Sequence, residues 1–178
     1  VPPDYFSKDG QLWGNPLYHY DYLKATGSKL WIDRIGAAKK MYDVIRIDHF
    51  RGFDSFYAIK YGSKNAKVGH WVKGPGMDLL FRIKSWFNDV EFIVEDLGQE
   101  AKEVETLVKD FGFPNMKVLQ FGFDYKEPST HAPFMHYPNS VCYIGTHDND
   151  TAIGYINSLD ETYYNYVTDS LNVETLDN

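Results

Sequence analysis

The sequence holds one cysteine in 178 residues, so no disulfide can close within the chain and no thiolate-rich metal site can form. That cysteine, Cys142, sits in the apolar run SVCYIG, where a thiol is expected to behave as a small buried hydrophobe. No run approaches the roughly 18 apolar residues that a membrane span needs, and no basic segment leads into an apolar one. A soluble protein in a cytoplasmic setting is the expectation, with no membrane partner. Basic residues are the minority: 18 Lys and Arg against 25 Asp and Glu give a net charge of −7. With no basic cluster, the chain would repel a phosphate backbone, so nucleic acid is not an expected partner. Neither HExxH nor a glycine-rich GxGxxG turn occurs, which argues against a zinc hydrolase and a dinucleotide site. The opening VPPDYF begins directly in loop chemistry without Met, as expected of a piece of a longer chain.

What is present is an ordinary globular composition, 43% hydrophobic and 24% charged, sufficient for one sizeable core. Asn15-Pro16 is expected to open a helix reaching Ala25 and closed by Gly27, and Ser28 to cap a second whose apolar face includes Trp31 and Ile35. DVIRID predicts a strand. After a glycine- and lysine-rich loop, Gly62 to Gly76, the spacing of Leu79, Leu80, Ile83, Trp86 and Phe87 predicts an amphipathic helix. EFIVEDLG predicts a second strand, and Val104, Leu107, Val108 and Phe111 a helix stopped by Gly112. MKVLQFGF and SVCYIGTHDND are the third and fourth strands, with helical segments to follow.

Short apolar strands separated by helices indicate an α/β protein with a parallel sheet. An open doubly wound sheet and a (β/α)8 barrel both fit that pattern. The polar residues favour the barrel, because each apolar strand ends in functional groups: Arg46 and Asp48, then Glu95 and Asp96, then His147, Asp148 and Asp150. In a barrel those strand ends open on one face, where active sites are built. A complete barrel takes about 250 residues, so about four of eight strands, part of a (β/α)8 TIM barrel, are expected here.

Three strand ends thus deliver carboxylates, Asp48, Glu95 and Asp148. Converging carboxylates repel, so one is expected to hold its proton near neutral pH, which yields an acid and a base. Glycoside cleavage needs that set, and the 17% aromatic content offers flat faces for sugar rings. Period-two alternation puts Arg46 on the same side of its strand as Asp48. Each acid alone has a blander reading as a turn former or helix cap; three together carry the functional one. His147 is better suited to a sugar hydrogen bond than to a metal, and Asn149-Asp150-Thr151 matches a glycosylation pattern that would obstruct the cleft. Trp31 and Trp86 fall on helical apolar faces and are expected in the core, whereas Trp13, in QLWGNP, offers a sugar platform.

Taken in order, VPPDYF, GQLWGNPLY, RIDHFRGF, VEDLG and GTHDNDT resemble the motifs of the 4-α-glucanotransferases known as amylomaltases or disproportionating enzymes, relatives of the α-amylases. The resemblance covers nearly the whole chain to about Gly154 and implies a (β/α)8 barrel of which residues 1–178 are the central to C-terminal part, with no second domain. It implies a retaining double displacement without metal or cofactor, between an α-1,4-glucan donor and a glucose or maltooligosaccharide acceptor. By position, Asp48 would be the nucleophile, Glu95 the general acid and base, and Asp148 the transition-state stabiliser. Arg46, His49 and His147 would contact the bound sugar, and Asp4, Tyr5, Phe6, Gln11, Trp13 and Asn15 would lie in a loop over the cleft. A cytoplasmic enzyme, or a plastid one in a plant, is implied.

The carboxylates do not distinguish transfer from hydrolysis, since water and a sugar hydroxyl can attack the same intermediate. An α-glucan hydrolase therefore stays open beside the transferase. So does a catalytically incomplete glucan-binding fragment, because a barrel lacking strands leaves open edges and an unfilled interior.

Overall fold

The four strands expected from the sequence are present in the computed structural model, which describes residues 1–4, 7–97 and 102–176. The chain divides into two compact units, Val1–Phe113 and Pro114–Asn178.

The first unit contains α1 (Tyr20–Ala25), α2 (Lys29–Lys39), β1 (Val44–Ile47), α3 (Arg51–Asp54), β2 (Ser55–Ala58), β3 (His70–Lys73), α4 (Gly76–Trp86), β4 (Glu91–Val94) and α5 (Lys102–Phe111). β1 and β4 pair in parallel, Val44 opposite Glu91 and Ile47 opposite Val94. Inward residues of these strands, Ile47, Phe92 and Val94, pack against Leu79, Leu80 and Ile83 of α4 and Val104, Leu107 and Val108 of α5. Phe50, Phe53 and Phe113 join the same core, Phe50 fully buried with its ring 5.3 Å from Phe53 and 5.9 Å from Phe113. The core therefore lies directly beneath the end of β1. Gly112, at φ 63°, ends α5 in the left-handed conformation expected of it, and the Phe113 N–H closes the turn on the Val108 carbonyl at 3.1 Å.

Several expectations need correction. Asn15 and Pro16 do not start a helix; α1 begins at Tyr20, with His19 Nδ1 accepting the Tyr22 N–H at 3.1 Å. Residues Asn15 to His19 are exposed, so no buried face offsets the cost of helix nucleation. Ser28 does not cap α2 through its side chain; it adopts φ 57° and donates its N–H to the Leu23 carbonyl, closing α1 instead. The segment read as a loop contains β3, which pairs antiparallel with β2. Its glycines mark close approach: a Cβ on Gly69 would lie 2.5 Å from the Ala58 carbonyl oxygen. Trp31 is partly buried against the core as expected, but Trp86, in the last turn of α4, is 66% exposed.

The second unit contains β5 (Asn115–Val118), two 3₁₀ turns (Leu119–Gly122 and Pro133–Met135), β6 (Ser140–Tyr143), α6 (Ala152–Ser158) and α7 (Glu161–Leu171). β5 and β6 are parallel, Asn115 opposite Ser140 and Val118 opposite Tyr143. All four β5 residues are buried. On β6, alternation turns Val141 and Tyr143 partly inward and leaves Cys142 exposed, contrary to the buried position expected of it. Among the described residues, no helix is long and apolar enough to cross a membrane.

Candidate active site

Arg46 and Asp48 leave the same side of β1, as period two requires, and Arg46 Nη1 donates to Asp48 Oδ1 at 2.7 Å. The Asp48 side chain is 74% exposed, so its second oxygen faces open space at the strand end. Both residues also line a groove of about 550 Å³ beside β1, with Trp31, Tyr42 and Val44.

Glu95 follows β4 immediately, and the two strand ends are joined across the gap. The Glu95 N–H donates to the Ile47 carbonyl at 2.9 Å, and the Phe50 N–H to the Glu95 carbonyl at 2.8 Å. The Glu95 carboxyl receives one main-chain N–H on each oxygen, from His49 on Oε2 at 2.7 Å and from Leu97 on Oε1 at 2.8 Å. Burial pushes the pKa of Glu95 above its ordinary 4.5; the two N–H donors act against that shift, and the neighbouring Asp48 charge adds to it. Partial burial thus favours the protonated form of Glu95.

Asp148 lies in the second unit, in a turn after β6. The Asn149 side chain folds the turn, its Oδ1 accepting from both the N–H and the hydroxyl of Thr146 at 2.9 Å. The Asp148 N–H donates to Thr146 Oγ1 at 3.3 Å, and the Asp148 carboxyl lies 3.4 Å from His147 Nε2. Both side chains are exposed. Gln120, which the sequence analysis did not single out, donates from Nε2 to the Asp150 carbonyl at 2.8 Å and so braces the same turn. Its signal was positional: like the acids, it stands just beyond a strand.

The amino-terminal residues form their own loop. Asp4 accepts the Ser7 N–H at 2.8 Å, the Val1 amino group and the Gln11 carbonyl meet at 2.9 Å, and Gln11 Oε1 accepts the Trp13 indole N–H at 3.0 Å. Trp13 is 73% exposed, and Asn15 is exposed as well. Tyr5 and Phe6, assigned to this loop from the sequence, lie outside the described residues. The main-chain donors at His49 and Leu97 were missed because a backbone N–H leaves no residue-type signature.

A family described as 4-alpha-glucanotransferase matches residues 1–177. The 4-alpha-glucanotransferase of Clostridium butyricum is 47% identical over 154 residues, covering 86% of this chain and 32% of that protein. A chloroplastic/amyloplastic 4-alpha-glucanotransferase of Arabidopsis thaliana is 45% identical over 161 residues, 90% of this chain and 28% of that protein. An amylomaltase from Streptococcus agalactiae, solved in complex with acarbose, superposes with a TM-score of 0.93 at 38% identity, over 100% of this chain and 36% of that one. The fold is accordingly part of a (β/α)8 barrel, as expected. The chain spans about a third of the length of the curated relatives it matches.

Proposed function

Because the chain belongs to the 4-alpha-glucanotransferase family, we propose that it forms the central to C-terminal part of a catalytic barrel that moves α-1,4-glucan segments between maltooligosaccharides. The observation that carries this reading is the juxtaposition at the ends of β1 and β4: the Glu95 carboxyl, held by the His49 and Leu97 N–H groups and raised in pKa by burial, and Asp48, paired with Arg46. A partly buried carboxyl whose pKa is raised, to serve as acid and base, and an exposed carboxyl beside it, to attack, are the two groups a retaining displacement uses.

Glu95 gives its proton to the glycosidic oxygen as that bond breaks, and an Asp48 oxygen bonds to the anomeric carbon. The leaving glucan departs with the proton, and Glu95 is left as a carboxylate. In the second step Glu95 takes the proton of an incoming 4-hydroxyl, whose oxygen displaces Asp48 from the anomeric carbon. Two inversions give net retention. Asp148 stabilises the positive charge that builds at the anomeric carbon in both steps. Arg46, His49 and His147 contact the donor sugar, and the loop with Asp4, Tyr5, Phe6, Gln11, Trp13 and Asn15 holds the acceptor and limits water. The substrates are an α-1,4-glucan donor and a glucose or maltooligosaccharide acceptor. Two relatives from plants are described as chloroplastic/amyloplastic, in keeping with a cytoplasmic or plastid setting for this protein.

The test is incubation of the full-length protein, and of its Asp48→Asn variant, with maltotriose, resolving glucose and longer oligosaccharides by chromatography. Longer products with little gain in reducing ends are expected, and the variant should lose them by on the order of 10⁴-fold or more. Shorter products alone would identify a hydrolase.

A further inference from the structure

The junction of β1 and β4 departs from a regular parallel ladder in one place. Opposite Glu95, the pattern of evenly spaced bonds has Glu95 donating to residue 47 and accepting from residue 49. The first bond is present, at 2.9 Å, but the Glu95 carbonyl accepts from Phe50, one residue further on, at 2.8 Å. His49, just beyond β1, is therefore an extra residue, a bulge at the strand end, and its own N–H is not used in bonding the Glu95 carbonyl. It turns to Glu95 Oε2 at 2.7 Å.

The backbone that permits this is left-handed. His49 has φ 47°, one of three non-glycine residues with positive φ among those described, and the other two, Ser28 and Asn172, stand at helix boundaries. Histidine is among the side chains that tolerate this region best after glycine, whereas a β-branched side chain is a marked outlier there. The next residue, Phe50, is fully buried in the aromatic core, so the bulge is fixed from below and cannot relax by sliding.

We infer that His49 is a positioning residue for Glu95, acting through its main chain: the left-handed bulge aims its N–H at Oε2 and fixes the carboxyl beside Asp48. This role is separate from any contact of the exposed imidazole with sugar. It rests on the assignment of Glu95 as acid and base.

The test uses the full-length protein with His49→Gly, His49→Asn, His49→Ala and His49→Val. All four lack the imidazole, so a lost sugar contact affects them alike, chiefly in KM. They differ in how readily they hold φ near 47°. Glycine and asparagine hold it, alanine is strained, and valine is excluded. The pH dependence of kcat/KM for maltotriose transfer is measured, and the Glu95 carboxyl is titrated by ¹³C NMR with Glu95→Gln for assignment. Losing an N–H donor removes a bond to the carboxylate form, so the pKa of Glu95 and the alkaline limb should both rise by about one unit in His49→Val. That variant's kcat should fall about tenfold below that of His49→Gly, with His49→Ala between them. His49→Gly and His49→Asn should keep the parent's limb. Equal behaviour of the glycine and valine variants would overturn the proposal and leave only the imidazole. If the valine variant fails to fold, the alanine variant decides by the same comparison. If the parent shows no transfer, the function assignment fails, while the Glu95 titration still reads the positioning role.

Discussion

Two strand ends deliver acids by different means. Beyond β1 and β4, Glu95 is held by main-chain donors that come from residues 46 and 2 positions away, His49 and Leu97, and its peptide is tied to Ile47 and Phe50. Beyond β6, Asp148 sits in a turn that Thr146 and Asn149 fold between themselves, with Gln120 as an outside brace. The first acid owes its environment to long-range pairing over a packed core; the second owes its placement mainly to four consecutive residues. Partial burial raises the pKa of Glu95. A proton-holding group needs a partly desolvated pocket, which no local turn can supply, whereas a charge-stabilising group needs exposure to the reacting centre.

Changing the acids themselves tests this contrast most strongly. Glu95→Gln should lower transfer between natural glucans by on the order of 10²–10⁴-fold. Much of the first step should return with a donor whose leaving group needs no proton, read as a burst of that group. Absence of any such recovery would remove Glu95 from the acid role and break the comparison at its centre.

A smaller loss is expected from Asn149→Ala, which removes the acceptor of both Thr146 bonds. Displacing Asp148 should reduce kcat by about ten- to a hundredfold with KM little changed, because the lost interaction belongs to the transition state. An unchanged kcat would mean that Gln120 alone holds the turn.

The pH dependence sharpens the contrast further. Burial raises the pKa of Glu95 above 4.5, so its protonated form persists to higher pH than a free glutamate's, and the alkaline limb of kcat/KM should lie above that value. The same sign governs stability. The stabilising contribution of protonated Glu95 is fully present below the unfolded pKa and is lost as pH rises through the folded one. The melting difference between the parent and Glu95→Gln should therefore change across that window and be flat below it. Removing an exposed ion pair within one helix is the control: Lys29→Ala, which breaks the 2.5 Å contact with Asp33 on α2, should cost about 0.3–0.5 kcal/mol and leave kcat unchanged.

The strands and their terminal acids were legible because both depend on local pattern. Apolar runs such as FIV and VIRI need only neighbours in sequence to be recognised, and Arg46 and Asp48 share a face by geometry alone. The amphipathic faces of α4 and α5 were legible for the same reason. Trp86 was misplaced because helical period fixes a direction around the axis but not whether a neighbour covers that turn of the helix. Cys142 was misplaced for the equivalent reason on a strand. The β2–β3 hairpin was hidden by glycines, which read as loop until the close approach at Ala58 is seen.

By itself, then, the sequence determined the α/β class, the three acids and the Arg46 to Asp48 neighbourhood, all consequences of residue type and short-range spacing. The tertiary structure alone decided that burial raises the pKa of Glu95 and that the His49 N–H meets its carboxyl. Burial and peptide orientation are set by what packs beneath a strand end and by which residue is left out of a ladder, and those partners lie tens of residues away.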